Sequence, residues 1–229
     1  MSDPSFEPPV NKLPQVVVLL FLAIAGVEGG LALGEAGLIG GPSAIGWRLE
    51  LIRDWGFSGD IFNQMLASGQ WPLRHVARFV TYPFIYFSFS QSIFAMVLLL
   101  ALGKLVGEAM GQVAVFLIFF LSGIGGALIY ALLLNDPAWL VGAYPSVYGL
   151  IGGYSFVTWH RLGAGGGQQM RAFTLIAMLM GLQLVFSMFA SVGMGWVAEL
   201  AGFVCGFGLS FLVVPGGFSS VLRRFRHRS

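Results

Sequence analysis

The sequence predicts an all-α integral membrane protein, a six-transmembrane-helix bundle with a long, partly interfacial first loop. Three observations carry that prediction. Of the 229 residues, 57% are hydrophobic and 10% are charged, whereas a soluble domain carries about 25% charged residues. Six apolar runs, most of them close to the ~20 residues that cross a bilayer, are separated by short polar breaks. The one long charged stretch, 34–82, alternates its charges with aromatic and aliphatic residues, as helices lying in a membrane interface do. The mean hydropathy of +0.83 agrees. The formal charge is only +2, and no nucleic-acid partner is expected.

Residues 1–12 read as a short N-terminal tail. Cleavable targeting is not expected there, because Asp3, Glu7 and three prolines replace a basic start, and the following apolar run is too long for a signal peptide. The single cysteine, Cys205, excludes an internal disulfide and a cysteine-based metal site. No metal or cofactor is expected.

The first span runs from Gln15 to Leu33. Glu28 falls inside it, about 18 Å along the helix and near the middle of a ~30 Å hydrocarbon core. Glu35, seven residues on, shares its face. An intramembrane acid is costly and faces protein or water. Glu28 therefore reads either as a carboxyl held neutral or hydrogen-bonded against a neighbouring helix or as a partner- or proton-linked site.

Residues 34–82 hold Arg48, Glu50, Arg53, Asp54, Asp60, Arg74 and Arg78 among Trp47, Trp55 and Trp71. Ile61, Phe62, Met65 and Leu66 recur at helical spacing behind Ser58-Gly59-Asp60, a candidate N-cap. One or two short amphipathic helices anchored by tryptophan are expected.

The later spans are Phe87–Leu105, Gln112–Leu134, Pro145–Trp159, Phe173–Phe189 and Val197–Val214. Polar breaks fall at Gly103–Gly111, at Asn135-Asp136-Pro137, at His160–Arg171 and at Ala190–Gly195. The fourth span is about 22 Å long if fully helical and too short to cross alone, so Leu134–Tyr144 is expected to dip into the membrane under a cover of protein. Six spans put both termini on one side. With that side cytoplasmic, Lys12, Lys104, Arg161, Arg171, Arg223, Arg224, Arg226 and Arg228 all lie in short inner segments, as the positive-inside bias requires. The basic tail, 218–229, meets anionic headgroups or a partner. Small residues four apart, at Gly149 with Gly153 and Gly202 with Gly206, and at Gly103, Gly107 and Gly111, let helix backbones approach.

Four stretches resemble the rhomboid family of intramembrane serine proteases. Arg78 to Tyr86 is similar to the family's Trp-Arg-x-x-Thr-x-x-Phe-x-His. Arg78 and Thr81 match, with Ala77 and Tyr86 in the places of tryptophan and histidine. Gln91 to Met96 is similar to His-x-x-x-Asn-Met, with Gln91 for the histidine and Ala95 for the asparagine. Gly142-Ala143-Tyr144-Pro145 stands where the family has Gly-x-Ser-Gly, ahead of Gly149 and Gly152. Ala198-Glu199-Leu200-Ala201-Gly202-Phe203 with Gly206 resembles Ala-His-x-x-Gly-Phe-x-x-Gly. The resemblance implies one rhomboid-like membrane domain over 1–229, in a membrane expected to be a bacterial inner membrane. It also implies a site that opens on the periplasmic or luminal side.

The serine, histidine and asparagine positions are thus Tyr144, Glu199 and Ala95. Rhomboid cleavage needs a nucleophile, a base and oxyanion donors. A phenol is bulkier than a hydroxymethyl group, Ala95 cannot donate, and Gln91 still can. Ser146 is the weak alternative nucleophile, but two residues turn a helix by about 200° and aim it away from the sixth span. His75, His160 and His227 lie outside the spans. The first reading is a catalytically inactive rhomboid-like protein that binds transmembrane segments of other membrane proteins, as a scaffold, an assembly or stability factor, or a complex subunit. There Tyr144 and Glu199 either contact the client or hydrogen-bond each other and plug the old site. The second is a serine endopeptidase of departed chemistry, using Ser146 or an acid pair built on Glu199. The third, a transporter relying on Glu28 and Glu199, lacks the repeated halves of that class.

Overall fold

The computed structural model describes residues 13–134, 136–164, 168–187 and 194–213, with the backbone alone at 164 and 182–187. The N-terminal tail, Asn135, residues 165–167 of the break after the fourth run, the end of the fifth apolar run, residues 190–193 of the break after it, Val214 and the basic tail with His227 lie outside the described residues.

Helix α1 (Gln15–Glu35) opens the chain, and a 3-10 turn (Gly41–Gly46) leads into three short helices, α2 (Trp47–Trp55), α3 (Gly59–Ser68) and α4 (Leu73–Thr81). These helices form the first loop, in place of the one or two expected. Ser58 sits at the N-cap of α3. Phe62 and Met65 are buried while Leu66 is exposed, so the periodic residues split between a buried and an open face. Strand β1 (Phe57–Ser58) pairs antiparallel with β2 (Trp139–Leu140). This two-residue ladder is a departure from an all-helical chain. It binds the first loop to the link between later helices, and no periodicity in such short segments announces it.

After a 3-10 turn at Tyr82–Phe84 come α5 (Phe89–Met110) and α6 (Gln112–Leu133). The Ser88 hydroxyl accepts the Gln91 N–H at the head of α5. Helix α5 does not stop at Gly103: both Gly103 and Gly107 are helical, and their missing side chains let Val17 and Pro14 of the α1 end approach. The break comes at Gly111, whose φ of 91° suits glycine.

Helix α7 (Tyr144–Ala164) is 21 residues long, about 31 Å at 1.5 Å per residue. The helix therefore runs past the expected apolar span, Pro145–Trp159, to Ala164. His160 and Arg161 continue the helix instead of ending it, because polar residues are tolerated in a terminal turn. His160 thus belongs to a helix, about 24 Å along the axis from Tyr144. A 3-10 turn (Gln169–Phe173), α8 (Thr174–Ser187) and α9 (Gly195–Val213) complete the described chain.

Among the described residues, four helices, α1, α5, α6 and α9, are long and apolar enough to cross a membrane. The main core joins α1, α5, α6, α7 and α9 around Ile24, Leu99, Ile118, Val147 and Phe203. A second core, with Phe57, Phe62, Phe79, Tyr82, Tyr130 and Leu140, seats the first loop on the ends of α6 and α9.

Candidate functional site

Glycine brings α7 and α9 close. A Cβ on Gly206 would collide with the Gly149 carbonyl, one on Gly202 with the Pro145 carbonyl, and one on Gly152 with the Phe203 carbonyl. Gly149 faces Ser122 of α6, and Gly153 faces Ile118 and Ser210. Close backbone contact of this kind maximises dispersion where no hydrophobic force drives helices together. It sets the start of α7 directly against the start of α9.

That junction carries Tyr144 and Glu199. The chain enters α7 through Gly142, whose φ is 93° and whose missing side chain leaves room for the rings of Tyr86 and Tyr144. Three hydrogen bonds hold the entry. The Gly142 N–H donates to the Tyr82 carbonyl at 2.9 Å. The Ala143 N–H donates to the Tyr86 hydroxyl at 3.2 Å. The buried Tyr82 hydroxyl donates to the Gly123 carbonyl at 2.8 Å. Tyr86, in the place of a family histidine, thus positions the residue just before Tyr144.

The half-buried Tyr144 donates its hydroxyl proton to the Gln91 backbone carbonyl at 3.0 Å. Its ring meets Tyr86 edge-on at 6.4 Å and Phe94 at 6.5 Å. Glu199 is 9% exposed and lines the same cavity as Tyr148. The expected plug, with Tyr144 and Glu199 bonded to each other, is corrected: the phenol has one proton, and Gln91 takes it. Sequence reasoning missed Tyr148, although its place four residues after Tyr144 puts both on one helix face.

Ala95 is fully buried in the core, and Gln91 is exposed. The Ser146 hydroxyl is fully buried, faces Gly123 of α6, and has no hydrogen-bond partner. No base adjoins it. The backbone carbonyl that accepts the Tyr144 hydroxyl has no basicity with which to take its proton. Among the described residues no cluster of His, Cys, Asp and Glu is placed to hold a metal.

Tyr144, Glu199 and Gln91 line one cavity of about 600 Å³, with Tyr130, Tyr148 and Trp196. Arg78 flanks it. This buried guanidinium donates to the Gly56 carbonyl at 2.7 Å and lies 5.4 Å over the Trp139 ring. Burial, then the neighbouring Arg74, lowers its pKa. Thr81 donates to the Trp55 carbonyl at 2.8 Å. The Arg-x-x-Thr pair therefore stitches the first loop together.

Glu28 is 1% exposed and lies outside that cavity. It is hydrogen-bonded against a neighbouring helix, as the first of its two readings expected: Arg48 of α2 reaches it at 2.7 Å and 3.2 Å. The same guanidinium binds Glu35 at 2.6 Å and the Tyr86 carbonyl at 3.0 Å. Its hydrogen bond to Glu28 raises the Arg48 pKa. Nothing in the spacing singles out Arg48, because the contact spans a turn and a helix start.

The family model of the Rhomboid domain matches residues 73–216. That is more than half of the chain, from the first residue of α4 to beyond α9, and the protein belongs to the rhomboid family. None of the curated proteins matches it.

Proposed function

We propose that this rhomboid is catalytically inactive and uses its fold to bind transmembrane segments of a partner membrane protein, as a scaffold, an assembly or stability factor, or an accessory subunit. The observation that carries the reading is the engagement of Tyr144. Where the family resemblance puts the nucleophile, a phenol spends its proton on a backbone carbonyl, and a glutamate, Glu199, stands in the base's place. The loss of chemistry leaves the packing intact: the glycine contacts of α7 and α9 and the Arg78–Thr81 stitching are kept. A fold kept without its chemistry is one whose use is its surface and cavity.

In this reading α7 and α8 join the four long apolar helices to make six spans. Both termini are cytoplasmic, the membrane is a bacterial inner membrane, and the cavity opens on the opposite side. Affinity purification in mild detergent, with mass spectrometry of what accompanies the chain, tests the binding half; a stoichiometric membrane partner is expected. Incubation with a transmembrane substrate tests the other half. Cleavage that disappears in Tyr144→Ala, Ser146→Ala or Glu199→Ala sinks the reading in favour of a serine endopeptidase of departed chemistry.

A further inference from the structure

We propose that Arg48 is a positioning residue of the cavity wall, a clamp on α1 that holds the Tyr86 carbonyl and, through Tyr86, the entry of α7. The role is one of cavity shape and is independent of whether the chain binds or cleaves.

The clamp has two ends. At one end the guanidinium is fixed to α1. Its Nε donates to Glu35 at 2.6 Å, and its Nη1 and Nη2 donate to Glu28 at 3.2 Å and 2.7 Å. The Glu28 and Arg48 side chains are buried, so little water competes for these bonds, and charge-assisted bonds are stronger than neutral ones. At the other end Nη1 donates to the Tyr86 carbonyl at 3.0 Å. A planar guanidinium holds its N–H groups in a rigid fork. Pinned by two carboxylates, it has little freedom left at this last contact. Neutralising Glu28 takes one cation of any shape; the bond to Tyr86 is what the fork adds.

That contact acts on an irregular stretch. Residues 85–88 belong to no helix or strand, so no ladder fixes the Tyr86 peptide, and its buried carbonyl needs a donor from elsewhere. The same peptide joins Tyr86 to Phe87, which lines the cavity. The Tyr86 side chain reaches the opposite wall. Its hydroxyl accepts the Ala143 N–H at 3.2 Å, and its ring meets Tyr144 edge-on at 6.4 Å. One residue thus bears on the cavity from two sides, and Arg48 holds its backbone. Helix α2 adds a second contact. Ile52, four residues after Arg48 and on the same face, is buried and packs with Ile85 and Val141, the residues just before Tyr86 and Gly142. Through Arg48 and Ile52, α2 therefore braces both strands of chain that meet at the α7 entry.

The test follows hydrogen exchange at single amides of the full chain in mild detergent, by mass spectrometry with electron-transfer fragmentation. The Ala143 amide reports its bond to the Tyr86 hydroxyl, and amides in the middle of α6 and α9 report the rest of the fold. Tyr86→Phe removes the acceptor and is expected to speed Ala143 exchange about three- to tenfold, the change that one lost hydrogen bond makes. Arg48→Met with Glu28→Gln removes the clamp without stranding a charge. It is expected to give a similar rise at Ala143 and none in α6 or α9. Arg48→Lys keeps a cation beside Glu28 without the fork and is expected to speed Ala143 as well. Adding Tyr86→Phe to the Arg48→Met, Glu28→Gln pair produces no further rise, because both changes act through one bond. Native exchange at Ala143 in either the pair or Arg48→Lys overturns the inference. So does an equal rise throughout α6 and α9, which marks general loss of stability, or a further full rise on adding Tyr86→Phe, which marks another route.

Discussion

The Tyr144 hydroxyl and the Gln91 carbonyl, 3.0 Å apart, join the first residue of α7 to the first turn of α5 across the mouth of the cavity. The bond closes the site by chemistry as well as by bulk, because its acceptor has no basicity to lend. Tyr144→Phe keeps the ring contacts with Tyr86 and Phe94 and removes only the hydroxyl. It is expected to lower stability by about 0.5–1.5 kcal/mol, read from thermal unfolding in detergent, and under the proposed function neither form cleaves a transmembrane substrate.

Glu28 and Arg48 form a buried pair with side chains 1% and 11% exposed. Removing one partner strands the other, and Arg48→Met is expected to cost about 3–5 kcal/mol. Glu28→Gln with Arg48→Met should cost less than the sum of the two single changes, because neither charge is then stranded. A strictly additive cycle would refute the pairing.

Gly206 and Gly208 sit two residues apart on α9 in opposite surroundings. A Cβ on Gly206 collides with the Gly149 backbone, while one on Gly208 meets nothing within 4 Å. Gly206→Ala is expected to destabilise by about 1–3 kcal/mol through overpacking. Gly208→Ala should be neutral or stabilising by up to ~1 kcal/mol through helix propensity. Equal effects on unfolding temperature would mean that α7 and α9 do not meet at this register.

Ser146 buries a hydroxyl with no partner. Ser146→Ala removes that unmet group and is expected to leave stability unchanged or raise it by up to about 1 kcal/mol. Partner binding should be unaltered. A large loss of either would assign the hydroxyl a role its surroundings do not supply.

Much of this architecture was legible in the chain. The apolar runs located α1, α5, α6 and α9, and the glycine pairs pointed at close helix contacts, because both signals are local and periodic. The end of α7 was misjudged, since His160 and Arg161 look like a break but ride in a helical last turn. The glycine run from Gly103 looked like a loop but lies against α1. In each case the deciding contact came from another helix. The β1–β2 ladder, with two residues on each side, is too short to leave a pattern.

The sequence by itself determined that the chain is a membrane protein resembling rhomboids and that its serine, histidine and asparagine positions hold Tyr144, Glu199 and Ala95, because composition and residue identity are properties of the chain. The contacts those residues make are set only in the folded chain. Whether Tyr144 bonds Glu199 or Gln91, and whether Glu28 stands alone or meets Arg48, depends on side chains distant in sequence. Hydrogen bonds and ion pairs act over about 3 Å, and only the folded chain brings such groups that close.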